Sequence, residues 1–226
     1  MRHTSFSLLL CAKYSNIVSM APIADFLEVA PVAGEDALFD RVATAALDEF
    51  AEHGLRRTSM EDVARRAGVS RMTVFRRFAS KQGLVEVVIA REVHRGMQEL
   101  DLIWEAAETL EDRLVTGFEF AGRYVRGHPL FDRLLRSEPD VLLPPLTLDG
   151  GPVLELYRSL IAHRLQLEVN AGRAVTLDID GVAEVIARLA ISLLLTREGT
   201  ITLDDPHSVR RLVNLALLPM LRPHSN

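Results

Sequence analysis

The 226-residue sequence predicts an all-α protein: an N-terminal three-helix helix-turn-helix domain followed by a larger helical ligand-binding and dimerisation domain. Three observations predict it. Apolar residues recur at helical spacing through most of the chain, strand-like alternation is nowhere sustained, and the breaks fall at glycine- or proline-bearing junctions such as Gly127-His128-Pro129, Gly172 and Asp205-Pro206. The expected organisation is an N-terminal arm over 1–34, a helix-turn-helix domain over 35–81 and a larger helical domain over 82–226. Met20 is an alternative translation start, which would make the short apolar run from Phe6 to Ala12 part of a misassigned leader rather than a signal peptide.

The first helix is expected over 36–54, where Phe39, Val42, Ala43, Ala46, Leu47 and Phe50 fall on one stripe. Gly54 followed by Leu55 suits its C-terminal stop. Thr58 and Glu61 then have capping-box spacing for a short second helix whose inward stripe is Met60, Val63, Ala64 and Ala67. Gly68 permits the tight turn, and Ser70 is the N-cap of a third helix over about 71–78. On that helix Val74 and Phe78 point inward, while Met72, Thr73, Phe75 and Arg76 turn away from them. Ser80 caps a fourth helix from Lys81 to about Trp104, and further helices are expected near 108–126, 129–137, 152–171, 179–197 and 205–221. Residues 139–152, with four prolines and two glycines, read as a break.

Charge marks out the same segment. Between Arg56 and Lys81 eight cations face two anions, a net +6 on a chain of formal net charge −5, which leaves −11 on the rest. A cationic block on an acidic body fits a polyanionic partner, and its coincidence with turn and caps sets it apart from an ordinary solvated face. The two-helix spacing matches a DNA reader. Arg71, at the N-terminal end of the reading helix, has the planar fork that suits guanine; Met72 and Thr73 can meet thymine methyls, and Lys81 with the helix N-termini near Ser59 and Ser70 can hold phosphates.

Other chemistry is poorly provided for. The chain has no GxSxG elbow, P-loop, HExxH or dinucleotide fingerprint, so no catalytic residue, cofactor or metal site is expected. The single cysteine, Cys11, cannot form an internal disulfide, and no apolar run is long enough to span a membrane, so a cytoplasmic protein is expected. The competing reading is a helical protein-binding adaptor, or a small-molecule-binding protein without specific DNA binding; retention of a specific DNA fragment against bulk DNA separates them.

Two further sets of residues are candidates. Trp104, Phe118, Phe120, Tyr124, Phe131 and Tyr157, with Arg123, His128 and His163 nearby in sequence, would line an effector pocket, or else fill the core. Val182, Val185, Ile186, Leu189 and Leu193, with Val209, Leu212, Val213 and Leu217 on the last helix, form an apolar pair that is either ordinary core or half of a four-helix bundle completed by a second copy. The dimer is favoured, because one reading helix covers too few base pairs for specificity.

From about Phe39 through Val88 the chain resembles the tetracycline-repressor (TetR) family of bacterial transcriptional regulators. The resemblance rests on a helix ending FAEHG, then TSMEDVARRAGVSRMTVFRRFASKQGL, with Phe78 near the end of the reading helix and Ser80-Lys81 opening a long helix. It implies an Ω-shaped homodimer on a palindromic operator in double-stranded DNA, usually a repressor, released when a small-molecule effector occupies the C-terminal domain. Position by position, it puts Arg71, Met72, Thr73, Phe75 and Arg76 in the major groove and Thr58, Ser59, Arg77 and Lys81 near phosphates. Phe75 stands where many relatives have tyrosine, so a hydroxyl that could reach a phosphate is missing.

Overall fold

The computed structural model describes residues 37–176 and 178–221. The expected arm over 1–34, the alternative start at Met20 and the lone Cys11 lie outside the described residues. The chain forms two compact units that divide between Arg95 and Gly96.

The first unit holds α1 (Ala37–His53), α2 (Met60–Ala67), α3 (Arg71–Phe78) and the first turns of α4 (Lys81–Ala106). The predicted stripes converge: Val42, Ala46 and Phe50 of α1, Val63 of α2, Val74 of α3 and Leu84 and Val88 of α4 are all buried. Burying each of the larger of these side chains contributes about 1.5–3 kcal/mol. Arg91 ties α4 to α1, donating to the Asp40 carbonyl at 3.3 Å and the Thr44 hydroxyl at 3.0 Å. These anchors lie beyond Lys81, so the early part of α4 is built into the small unit.

The second unit continues along α4 and adds α5 (Leu110–Gly127), α6 (Pro129–Ser137), α7 (Pro139–Leu146), α8 (Gly151–Asn170), α9 (Ile179–Leu195) and α10 (Pro206–Leu212). Its core gathers Leu114, Phe118, Leu165, Ala183, Ile186, Val209 and Leu217. A buried carboxylate, Glu168 of α8, knits three elements together: it accepts from Arg113 of α5 at 2.5 Å, from Arg173 at 2.6 Å and from the indole of Trp104 at 3.3 Å. Burial alone would raise the pKa of Glu168, but the hydrogen bonds from Arg173, Arg113 and Trp104 outweigh it and hold the carboxyl below its ordinary range.

The structure departs from the sequence reading in three places here. Residues 139–146, expected to be irregular, form α7. Pro139 sits where its missing N–H costs nothing, Pro144 and Pro145 fall in the last turn, and the Thr147 hydroxyl caps the Leu143 carbonyl at 2.7 Å. The last helix is not continuous: after α10 it widens into a π-helical stretch, Val213–Leu217, and closes with a turn over Leu218–Met220. The wide turn lies just ahead of Pro219, which has no N–H to offer the Leu215 carbonyl. Finally, Val182, Ile186, Val209, Leu212, Val213 and Leu217, put forward as a dimerisation face, are sealed in the protomer's own core. Their stripe is the one that packs inward, because it is the most apolar on each helix. Of that set only Val185, Leu189 and Leu193 keep surface toward solvent.

Among the described residues no helix is long and apolar enough to cross a membrane, and no three His, Cys, Asp or Glu side chains converge as a metal site.

Candidate nucleic-acid interface and ligand cavity

The reading head is assembled by caps. Ser59, not Thr58, is the N-cap of α2: its hydroxyl accepts from the Asp62 N–H at 3.2 Å, and Asp62 accepts in return from the Ser59 N–H at 2.9 Å. Hydrogen bonds from the Ser59 side chain and backbone hold the Asp62 carboxyl below its ordinary range. The predicted capping box is therefore real but one residue later. Thr58 is 2 % exposed, and its hydroxyl bridges the Glu49 and Gly54 carbonyls at 3.1 and 2.9 Å. It braces the α1–α2 corner and has no side-chain atom left for a phosphate.

Gly68 ends α2 at φ 63°, ψ 38°, and the Val69 N–H closes back on the Ala64 carbonyl at 3.0 Å. Ser70 then caps α3, accepting from the Thr73 N–H at 3.1 Å and lying 2.8 Å from the Thr73 hydroxyl. With Val74 and Phe78 buried, α3 turns Arg71, Met72, Arg76 and Arg77 outward, and Met72 is 74 % exposed. Thr73 and Phe75 are half-buried beside them. The Arg71 guanidinium lies over the Phe75 ring, 5.2 Å from its centre, and 3.7 Å from the Glu61 carboxylate. Ala79, at φ 56°, ψ −45°, makes a strained turn out of α3, with the Ser80 N–H bonded to the Phe78 carbonyl at 2.5 Å.

Not every cation of the block faces outward in the same sense. Arg66 is gripped by α1, reaching Glu49 at 2.8 Å and Glu52 at 2.5 Å, with Asp48 at 3.9 Å. The bond from Arg66 holds the Glu52 carboxyl below its ordinary range. Arg65 pairs with Asp62. Arg66 was not singled out by sequence reasoning; the signal was the carboxylate row Asp48, Glu49 and Glu52 on α1. Lys81 donates to the Arg56 carbonyl at 3.3 Å, and Arg77 lies over the Phe39 ring at 5.7 Å.

In the second unit a cavity of about 410 Å³ lies between α4 and α5, lined by Glu99, Ile103, Phe120, Arg123, Tyr124, Gly127, His128 and Pro129. Two ring-on-glycine contacts bracket it. A Cβ on Gly96 would lie 2.8 Å from the Tyr124 ring, and one on Gly117 would lie 3.5 Å from the Trp104 ring. Each helix thus sends one ring against a bare backbone of the other, holding the two apart. A run of rings at helical spacing continues from α5 through His128 into α6: Phe120 and Tyr124 stack at 5.3 Å, His128 lies 5.6 Å from Tyr124, and Phe131 lies 4.6 Å from His128.

Of the proposed ligand residues, Tyr124 lines the cavity and Phe131 backs its ring wall. Phe118 is core, and Trp104 is held by Glu168 and by Arg164, whose guanidinium sits 5.5 Å from its ring centre. Tyr157, half-buried on α8, is not among the lining residues, and burial pushes its phenol pKa up. Arg123 and His128 do line the cavity; His163 does not. Glu99, Ile103 and Pro129 escaped the sequence reading, although Glu99 and Ile103 stand one turn apart on α4.

Residues 43–88 match the model for bacterial regulatory proteins of the tetR family. An uncharacterized HTH-type transcriptional regulator of Mycobacterium bovis is 28 % identical over 79 % of this chain and 75 % of its own length. A second, of Bacillus subtilis, is 39 % identical over 23 % of this chain and 27 % of its own length. Among solved structures, the TetR family repressor AlkX of a Dietzia strain matches with TM-score 0.58 at 24 % identity, covering 80 % of this chain and 98 % of its own. The repressor QsdR of R. erythropolis matches with TM-score 0.57 at 23 % identity, covering 85 % and 100 %. The capped helix pair with its outward arginines falls within residues 43–88, which therefore form a DNA-binding domain of the tetR type, and the chain is a DNA-binding transcriptional regulator.

Proposed function

We propose that this regulator is a ligand-responsive repressor that binds a palindromic operator as a homodimer, and that it acts through DNA occupancy rather than catalysis. The observation that carries this reading is the face of α3, where Arg71, Met72 and Arg76 stand exposed on a helix whose other side is fixed by Val74 and Phe78. Arg71 reads a guanine edge, Met72 and Thr73 pack on thymine methyls, and Ser59, Ser70, Arg77 and Lys81 hold the backbone. Thr58 contributes only by holding the corner.

The dimer face is the outer side of α8 and α9. α8 carries charged and apolar residues around its whole circumference, and from Val153 to Arg164 all but Ser159 are only half-buried, so that stretch keeps partly open surface for a neighbour. Val185, 41 % exposed, with Leu189 and Leu193, extends that surface along α9. A second copy seated there would bring two reading helices to half-sites about 34–36 Å apart or a multiple of that. The effector enters the cavity between α4 and α5, and by favouring the wrong spacing of the heads weakens operator binding; a coupling of ~1–3 kcal/mol lowers affinity 5- to 150-fold.

The test is retardation of a fragment from upstream of the protein's own gene in competition with bulk DNA, with the mass of the free protein measured alongside. A dimer that retains the specific fragment supports the proposal, and a monomer that prefers no fragment overturns it. For the effector, Ile103→Trp fills the cavity: it should keep DNA binding and lose release by any effector a small-molecule screen finds. Undiminished release would place the effector elsewhere.

A further inference from the structure

Resting on the reading of the α4–α5 cavity as the effector site, we infer that it takes a zwitterionic aromatic compound, an aromatic amino acid or a close analogue, rather than a purely apolar, anionic or cationic ligand. The cavity's shape and charges point the same way. One wall is a row of rings, Phe120 and Tyr124 of α5 and His128 at its end, and Pro129 together with Ile103 of α4 completes the lining. A planar ring meets such a row of rings, edge to face or offset, better than a flexible chain packs against it. At about 410 Å³ the cavity is near the small end of the ~300–1,000 Å³ range of small-molecule sites.

The charges decide the substituents. Glu99 on α4 and Arg123 on α5 open onto this one cavity from opposite helices. Among the described residues neither forms an ion pair or hydrogen bond, with the other or with any third group. The charges around them are already matched: Asp101 pairs with Arg164, and Arg126 with Asp204. The Tyr124–Gly96 and Trp104–Gly117 contacts keep α4 and α5 apart, and with them the two charged groups. A ligand bearing only a carboxylate pairs with Arg123 but is repelled by Glu99, and one bearing only an amine does the reverse. A ring carrying both an ammonium and a carboxylate satisfies both at once. His128, within the ring wall, adds a polar edge beside Arg123. An ion pair open to solvent contributes up to about fivefold in affinity, and the repulsion each singly charged analogue meets at the other group is of similar size, so the zwitterion gains up to ~25-fold over either analogue.

Three probes share one ring and differ only in charge: L-phenylalanine, 3-phenylpropionate and phenethylamine. Calorimetric titration of the full chain should find L-phenylalanine bound severalfold, up to ~25-fold, more tightly than the other two. Glu99→Gln should erase the advantage over 3-phenylpropionate, and Arg123→Gln the advantage over phenethylamine. Both positions are exposed, so neither variant threatens the fold. Equal affinity for the three probes, or a preference unchanged in both variants, overturns the inference. Binding with the expected charge dependence but no change in operator affinity at saturation supports the inference and removes the effector reading. If none of the three binds while another compound releases DNA and Ile103→Trp abolishes that release, the effector reading stands and the zwitterion inference falls.

Discussion

Replacing Glu168 with alanine removes the acceptor shared by Arg113, Arg173 and the Trp104 indole, and the structure sets the size of the effect. Arg173 is 41 % exposed and turns to water at little cost. Arg113, 14 % exposed, cannot, and the indole N–H loses its acceptor as well. A buried cation left without its partner costs about 3–5 kcal/mol. For a unit of this size that lowers the melting temperature by roughly 10–20 °C. Trp104 is the only tryptophan in the chain, so its emission reports this unit directly while denaturation is followed at fixed protein concentration. Glu168→Gln, which keeps an acceptor and loses the charge, should fall between wild type and Glu168→Ala. In a double-mutant cycle Glu168→Ala and Arg113→Ala should be non-additive by at least ~1 kcal/mol. A loss below ~1 kcal/mol for Glu168→Ala, with Trp104 emission unmoved, would refute the reasoning, because the carboxylate would then not be holding these helices.

The same carboxyl gives a pH prediction. Its folded pKa lies below its unfolded value of about 4.3, so its stabilisation is complete above that pH and is lost as pH falls through the folded pKa. The stability gap between wild type and Glu168→Gln should therefore narrow on acidification below about pH 4.3, and a constant gap would contradict this. On the reading helix, Arg71→Ala should relax base preference by ~1–3 kcal/mol, whereas Lys81→Ala should weaken specific and scrambled duplexes alike and flatten the salt slope by about one unit; salt titrations on both duplexes tell these apart. Ala79→Gly should stabilise the first unit by ~1 kcal/mol, since glycine accepts φ 56° without strain, and unchanged denaturation would argue against strain at that turn. Gly96→Ala should push the Tyr124 ring toward the cavity and reduce effector response, with response measured as release of the upstream fragment.

How much of this the sequence disclosed depended on whether the signal was local. The first four helices were legible because stripes, glycines and caps repeat the same message within a few residues, as at Gly68-Val69-Ser70. Thr58 and Ser59 show the limit: adjacent hydroxyls with acids three residues on have the same pattern, and only the buried Glu49 and Gly54 carbonyls decide which one turns inward. The proline-rich α7 was hidden because proline count says nothing of position within a helix. The apolar face of α9 and α10 looked the same whether it met its own chain or another, so the inward stripe was mistaken for an outward one. The cavity needed two helices distant in sequence, and Glu99 carries no mark until Arg123 is seen across from it.

The grip of α1 on Arg66 changes how this regulator should search a genome. A guanidinium committed to Glu49 and Glu52 is withdrawn from the field that non-specific DNA feels, and the rest of the chain is strongly acidic. Random duplex therefore meets a small adhesive spot on a molecule it otherwise repels. Such a protein should linger briefly on irrelevant sites and leave few copies sequestered away from its operator.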